Sequence, residues 1–119
     1  MSRRPEGGHP RHRLDPVIHA PVRLSIVAYL SAADQAEFGV VRDTIEVSDS
    51  VLSKQVTVLV DAGYVRARKG YVGKRPRTWL SLTAAGRQAF DAHLAALTAI
   101  AARPAMSAET LSERSPAGA

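Results

Sequence analysis

The chain has 119 residues, of which 45% are hydrophobic and 23% are charged, a composition typical of one globular domain. It contains no cysteine, which excludes disulfides, thiol catalysis and cysteine-based zinc sites. No apolar run reaches the roughly 18 residues that a membrane helix needs, and no apolar segment follows the basic N-terminus. We therefore predict a cytoplasmic protein.

The net charge of +5 comes from one stretch of the chain. Residues 66–77 contain no acid and six cations: Arg66, Arg68, Lys69, Lys74, Arg75 and Arg77. Of the 16 Lys and Arg, the 10 outside this stretch face 11 Asp and Glu, so the rest of the chain is nearly neutral. A localised basic element on a neutral body indicates contact with phosphates.

The two ends of the chain are predicted to be disordered. Residues 1–13 form a basic arm in which prolines and glycines break regular structure. This arm could track a DNA backbone or groove, but a solvated tail is the favoured interpretation. Residues 104–119 are rich in Ser, Ala, Glu and Pro and form a second tail. One folded domain, residues 14–103, lies between them.

The folded region begins with a short turn and a very apolar helix. In the turn, Asp15 is the predicted cap and Pro16 the first helical residue. Pro21 then starts a helix that runs to about Ala33 and is apolar almost all the way round. Such a helix is buried on more than one side, and a second subunit could cover one of them.

A short helix and a longer capped helix follow. Glu37-Phe38-Gly39 predicts a short strand, and residues 40–45 a short helix. After a turn, Ser48 is the N-cap of a helix that ends at Gly63, a residue that tolerates positive φ. One face of this helix carries its core positions, Leu52, Val56, Leu59 and Val60. The opposite face is small and polar, with Ser50, Ser53, Lys54 and Thr57.

A basic hairpin comes next. Residues 64–71 alternate apolar and polar as a half-buried strand does, residues 72–76 predict the turn, and residues 77–82 the returning strand. Pro76 is assigned to the turn because proline cannot sit in a central strand. Tyr71 and Trp79 could stack on bases, but their place beside the hydrophobic face favours the core.

A last helix is predicted from Thr83, its cap, to about Arg103, where Pro104 ends it. A stripe of Phe90, Leu94, Leu97 and Ala101 lies beside a strip of smaller residues that includes Ile100. Together these faces exceed what one small domain can cover, so they predict a two-fold helix–helix interface.

Several sequence blocks in this order resemble a winged helix–turn–helix domain, and more closely the small MarR-like transcriptional regulators. The resemblance spans about residues 14–101, and its main blocks are Leu14-Asp15-Pro16-Val17-Ile18-His19, Ser48-Asp49-Ser50-Val51-Leu52-Ser53-Lys54, Gly73-Lys74-Arg75-Pro76-Arg77-Thr78-Trp79 and Leu82-Thr83-Ala84-Ala85-Gly86. It implies that the helix from Ser48 enters the major groove, that the hairpin lies on the backbone or minor groove, and that terminal helices dimerise.

The sequence thus predicts an α+β fold, a winged helix–turn–helix with a C-terminal dimerisation helix, and a homodimeric regulator of transcription, more specifically a repressor. Its predicted DNA-binding residues are Ser48, Ser50, Ser53, Lys54, Thr57, Arg68, Lys74, Arg75 and Arg77. Its predicted dimerisation residues are Leu24, Phe90, Leu94, Leu97 and Ile100. The predicted partners are double-stranded DNA and a second copy of the chain, with a small-molecule effector left open.

Two other classes of function stay open, a winged-helix module that docks proteins and a non-specific architectural DNA-binding protein. Six acid-free cations at the hairpin argue against the docking module. No cofactor, metal or catalytic constellation is predicted. Asp91 and His93 are half of a metal site at most, and two ligands do not hold an ion.

Overall fold

The computed structural model describes the backbone of residues 8–114 and the side chains of residues 8–102. The chain divides into two compact units, residues 15–91 and a second unit drawn from both chain ends. In chain order the elements are α1 (Pro21–Ser31), β1 (Ala36–Glu37), α2 (Phe38–Ile45), α3 (Asp49–Asp61), β2 (Val65–Val72), β3 (Arg75–Leu82) and α4 (Ala84–Arg114). The strands form an antiparallel sheet in the order β1-β3-β2. The predicted α+β winged helix–turn–helix fold is confirmed.

The core of residues 15–91 is built from one face of each helix and the base of the sheet. Its buried members are Ile26, Val27, Leu30, Ala36, Val41, Leu52, Val56, Leu59, Val65, Leu80 and Phe90. In α1, Leu24 and Tyr29 are half-buried and pack against this core, whereas Ala28 is exposed. The apolar α1 is therefore covered largely by its own domain.

Both predicted ends of α3 are confirmed. The Ser48 hydroxyl accepts a hydrogen bond from the Val51 N–H at 3.2 Å, which caps the first turn. At the other end Gly63 has φ +82°. Gly63 N–H donates to Val60 O and Tyr64 N–H to Leu59 O, both at 2.9 Å, the paired bonds of a Schellman motif. The α3 helix is thus fixed at both ends by local signals.

The short helix α2 begins earlier than predicted. The predicted strand 37–39 is wrong in its bounds, because Phe38 and Gly39 belong to the helix and the strand is Ala36–Glu37. Phe38, Val41 and Ile45 have helical spacing and all contact the core, which favours helix over strand. The helix closes at Glu46, whose φ of +59° is left-handed. Glu46–Ser48 then forms the turn before α3.

The hairpin β2–β3, hereafter the wing (residues 65–82), is longer and tighter than predicted. Its strands pair from Val65 with Leu82 to Val72 with Arg75, which leaves a turn of two residues, Gly73 and Lys74. Gly73 has φ +66°, as the first position of a type II′ turn requires. Pro76, predicted in the turn, lies inside β3 instead. Proline is tolerated there because β1 pairs with β3 only at Trp79 and Leu80. At Pro76, the side of β3 that faces away from β2 is therefore an unpaired edge.

The terminal predictions need two corrections. Pro10–Arg13 form one turn of 3-10 helix, capped by the His9 side chain, where no regular structure was predicted; residues 1–7 lie outside the described residues. The α4 helix starts after Thr83, whose hydroxyl accepts from the Gly86 N–H at 2.9 Å, so the predicted cap is confirmed. It does not end at Pro104 but continues to Arg114. Proline removes one helical hydrogen bond, and the Ala-, Glu- and Leu-containing stretch after it has high helix propensity.

Candidate nucleic-acid interface

The outward face of α3 carries the residues predicted to contact bases. Ser50, Ser53, Lys54 and Thr57 are all exposed. Thr57 donates its hydroxyl to Ser53 O at 3.0 Å, which leaves it an acceptor toward a ligand. Lys54 is held by no hydrogen bond or ion pair within the described residues. It is therefore a free cationic donor at the centre of this face.

Ser48 has a different place from the other four. It is exposed, but its hydroxyl oxygen caps α3, and it lies 3.3 Å from the Ser50 hydroxyl. Its first role is thus structural, and its prediction as a DNA contact stays untested.

The orientation of α3 depends on Arg23 of α1, which the sequence analysis did not single out. Its guanidinium donates to the Gln55 side chain at 2.6 Å and to Val17 O at 2.5 Å. One cation thus connects α3 with the turn before α1. The signal in the sequence was the single charge in an otherwise apolar helix. Gln55 is half-buried, and its side-chain oxygen accepts this bond.

A second cation joins α2 to the start of α3. Arg42 contacts Asp43 at 2.8 Å and Asp49, in the first turn of α3, at 2.7 Å. The hydrogen bond from Arg42 holds the pKa of Asp43 below its usual value, and the two carboxylates raise the pKa of Arg42. Arg42 thus offsets two negative charges that lie beside the proposed DNA-facing surface.

The six cations of the wing fall into two groups. Arg77 forms an ion pair with Glu37 at 2.5 Å, and both side chains are less than one third exposed. Arg68 donates to Gln35 at 3.3 Å. Although residues 66–77 contain no acid, Arg77 is neutralised by Glu37, an acid that is distant in sequence. The other four cations of the wing are exposed: Arg66, Lys69, Lys74 and Arg75.

A cleft separates α3 from the wing. It encloses about 340 Å³ and has an apolar floor that includes Val56 and Leu80. Its polar lining comes from both sides, Ser53 and Thr57 of α3 and Lys69 and Thr78 of the wing. The polar face of α3 and one cation of the wing, Lys69, thus meet along one opening. A larger depression of about 670 Å³ lies between α2 and the outer half of the wing.

The joint between α3 and the wing is closely built. The Tyr64 hydroxyl donates to an Asp15 carboxylate oxygen at 2.6 Å, and this bond, followed by burial, raises the pKa of Tyr64. The Thr83 hydroxyl donates to Gly63 O at 2.6 Å. A Cβ on Gly86 would lie 2.1 Å from Tyr64 O, so only glycine fits this close approach. These contacts fix where the wing leaves the domain.

The aromatic residues of the wing differ from expectation. Tyr71 was predicted to be core, but 73% of it is exposed. The prediction is wrong because the strands extend past the domain, and the hydrophobic face continues beyond the core that covers its base. Trp79 is half-buried.

The predicted dimerisation residues differ in how far they are buried. Phe90 is buried in the core of its own domain, and Leu24 is half-buried and packs against that core, so their role in dimerisation stays a prediction. On α4, Leu94 is 41% exposed, and Leu97 and Ile100 are half-buried. These three keep their predicted role as a proposal.

Two further features bear on the class of function. Across the described residues, no group of three or more His, Asp or Glu side chains could hold a metal ion, and His93 is fully buried. In the same part of the chain, no helix is long and apolar enough to cross a membrane.

Comparison with known proteins agrees with this geometry. A family model described as a winged helix DNA-binding domain matches residues 22–101. A transcriptional regulator homologue from Pyrococcus horikoshii is similar in structure, with a TM-score of 0.68 and 27% identity over 72% of this chain and 85% of that one. The transcriptional repressor BigR from Xylella fastidiosa has a TM-score of 0.55 and 27% identity, over 65% and 72% of the two chains. MarR from E. coli shares the fold, with a TM-score of 0.57 and 17% identity over 88% and 84%.

The chain belongs to the winged helix DNA-binding domain family. It is a DNA-binding transcriptional regulator of the winged-helix type, which confirms the class predicted from the sequence, and it shares the fold of MarR. The family binds DNA and does not catalyse a reaction, in agreement with the prediction that the protein is not an enzyme.

Proposed function

We propose that the protein is a homodimeric repressor that binds a pseudo-palindromic operator. Each α3 enters a major groove, and the two grooves are about 34 Å apart on one side of the duplex. The cleft shared by Ser53, Thr57 and Lys69 carries the proposal. A protein that occupies neighbouring grooves must straddle the sugar–phosphate strand between them, and this cleft has polar side chains on both walls and a cation, Lys69, on the wall formed by the wing.

The two sides of the cleft have different roles. Exposed cations of the wing, with Lys74 and Arg75 at its end, bind phosphates and supply affinity without sequence choice. Ser50, Ser53, Lys54 and Thr57 face the bases, and Lys54 has the reach and charge to donate to a guanine edge. Arg68 and Arg77 are secondary contacts, because each already has a partner in the domain.

Dimerisation is assigned to α4. Leu94, Leu97 and Ile100 share one side of the helix and leave apolar surface exposed, which a second copy of α4 would cover. A repressor acts by occluding a promoter, and the similarity to a named repressor favours this sign of regulation. The predicted cytoplasmic location follows from the need to reach chromosomal DNA. The small-molecule effector stays a prediction.

Selection of bound sites from random duplex DNA at stated salt tests the function. We expect enrichment of a two-fold symmetric site, with affinity at least about 1,000-fold above competitor DNA. A ratio near one would favour an architectural protein, and no DNA binding would favour a docking module. Leu94→Glu should dissociate the dimer in sedimentation and weaken operator binding, whereas Ala95→Glu, an exposed neighbour, is its control.

A further inference from the structure

The two faces of the wing differ in the charge that they carry. Side chains alternate along a strand, so the register of the hairpin assigns each strand residue to one face. The face that continues the core at Leu80 and lines the cleft to α3 has one cation on its strands, Lys69. The opposite face, hereafter the outer face, has the other strand cations: Arg66, Arg68, Arg75 and Arg77. Most of the charge of the wing therefore lies on the face turned away from the cleft.

The outer face also holds Trp79, the single tryptophan of the chain. Its cross-strand partner is Arg68, and both side chains lie beside Gly70. A Cβ on Gly70 would be 3.7 Å from the indole Nε1 and 3.3 Å from Nη1 of Arg68. Trp79 is half-buried and Arg68 is exposed, so solvent reaches both. We call Arg68, Gly70 and Trp79 the stacking site.

A planar ring beside a guanidinium matches the chemistry of an unpaired nucleic-acid base. Bases of single strands stack on aromatic rings and on arginine planes, whereas in a duplex their faces are covered by neighbouring bases. The exposed Arg66 and Arg75 lie on the same face, on either side of the stacking site along the hairpin. Their charges complement the phosphates that flank such a base. The outer face thus provides both contacts that a single strand needs.

Glu37 also lies beside the stacking site. It is the partner of Trp79 in the pairing of β1 with β3, and its carboxylate is paired with Arg77. The two charges offset each other, so this acid leaves the charge of the other three arginines of the outer face in excess. An aromatic ring that covers a strand glycine also stabilises a sheet, which is the alternative role for Trp79.

We propose that the outer face of the wing is a second nucleic-acid site, which binds a single strand. An unpaired base stacks on Trp79 and Arg68, and Arg66 and Arg75 bind the phosphates on either side. This chemistry is common to single-stranded DNA and RNA. The site lies on the face opposite Lys69, so it is distinct from the cleft between α3 and the wing, and it does not depend on operator binding.

The fluorescence of Trp79 tests the proposal in the wild-type protein. Short oligo(dT) and oligo(U) should quench it, because a base stacks on the indole, and the tighter of the two identifies the kind of strand. An abasic strand of equal length has the same phosphates without bases, so it should bind on the order of 10-fold more weakly. Equal affinity for the abasic strand would show that charge alone binds, and would overturn the proposal.

Two substitutions alter the stacking site in different ways. Trp79→Leu removes the ring, and Gly70→Val places a side chain against it while displacing only the flexible end of Arg68. Each should weaken binding of a labelled oligo(dT), measured by anisotropy, on the order of 10-fold. Tyr71→Ala removes an exposed aromatic ring from the opposite face and is the matched control, with wild-type affinity expected.

The same variants separate this site from operator binding. Trp79→Leu and Gly70→Val should bind a selected operator as the wild type does, which also shows that their wings are folded. Wild-type affinity of Gly70→Val for oligo(dT), or an equal loss in Tyr71→Ala, means that Trp79 only covers Gly70 and contradicts the proposal. Failure of the wild type to bind single strands refutes this site alone, whereas failure to bind duplex DNA refutes the proposed function.

Discussion

The two surfaces proposed to meet DNA are built in different ways. Both ends of α3 are fixed, by Ser48 at its start and Gly63 at its end, and Arg23 and Arg42 tie it to the helices before it. The wing is tied to the domain by the ion pair of Arg77 with Glu37, and beyond Arg77 the last pairs of the hairpin rest on strand pairing. A fixed helix suits recognition of base edges, where small displacements matter. A less restrained basic hairpin suits phosphates, which any sequence offers.

Charge separates the same two surfaces. Lys54 is the single cation of α3, which also carries Asp61 and the Arg42-paired Asp49, so the helix offers little net attraction to a polyanion. The wing contains no acid between residues 66 and 77. Affinity should therefore come mainly from the wing and sequence preference mainly from α3. Each variant below tests one side of this division or the joint between them.

A substitution at the joint between α3 and the wing should give the largest effect on stability. In Gly86→Ala the new methyl would collide with Tyr64 O, since its Cβ would lie 2.1 Å away. We expect unfolding free energy to fall by at least about 3 kcal/mol, because backbone must move to make room. Gly39→Ala in α2 is the matched control, with its nearest neighbours at 3.5 Å or more. It should be neutral or stabilising by up to about 1 kcal/mol. Equal effects of the two variants in urea unfolding would contradict the close approach.

Lys54→Ala tests whether α3 determines sequence preference. It should relax sequence preference by about 1–3 kcal/mol at one base pair, because a base-edge donor is lost. Binding to a panel of single base-pair variants of the operator measures this directly. Gln55→Ala is the control from the same helix. It should lower stability through loss of the bond to Arg23 and leave the preference profile unchanged. A wild-type profile for Lys54→Ala would exclude this residue as a base contact.

Tyr64→Phe removes a single hydrogen bond from the same joint between α3 and the wing. Loss of the bond to Asp15 should cost about 1.5 kcal/mol at neutral pH. Because the pKa of Tyr64 is raised in the folded state, this stabilisation is present below the ordinary tyrosine pKa. It is lost as pH rises through the raised value. The gap between wild type and variant should therefore shrink in unfolding experiments taken to alkaline pH. The exposed Tyr71→Phe should show no gap at any pH.

Local signals in the sequence predicted the fold well, and the errors at Arg77 and Pro76 lie where distant residues meet. Ser48 and Gly63 fix the bounds of α3 through bonds to their own neighbours, so their roles could be read from the sequence. Pairing of Arg77 with Glu37 joins residues far apart in the chain, and no local pattern encodes it. Pro76 was misplaced because its tolerance depends on where β1 ends, which is a property of the assembled sheet.

Arg75 and Arg77 provide a test within the wing. Arg75 is exposed, so Arg75→Ala should lower the magnitude of the salt slope by about 0.9 and weaken all sequences alike. Arg77 is already paired with Glu37, so Arg77→Ala should change the slope by clearly less and act mainly on the stability of the wing. Arg87→Ala, a cation on α4 that donates to Ser31 O, controls for the loss of one charge. Equal slopes for the Arg75 and Arg77 variants would show that the ion pair opens on DNA.

Glu46→Gly should have the smallest effect on stability, and it should raise the free energy of unfolding. Glu46 has a left-handed backbone between α2 and α3, with φ +59° and ψ +55°. A side chain is disfavoured there, whereas glycine adopts this conformation freely but loses more entropy on folding. The balance should stabilise the domain by on the order of 0.5–1 kcal/mol in thermal unfolding. Glu46→Gln keeps the side chain and removes the charge, so it should leave stability unchanged. If both variants strengthen DNA binding equally, the gain in affinity comes from the lost charge. A loss of stability in Glu46→Gly would mean that the side chain itself holds the turn before α3.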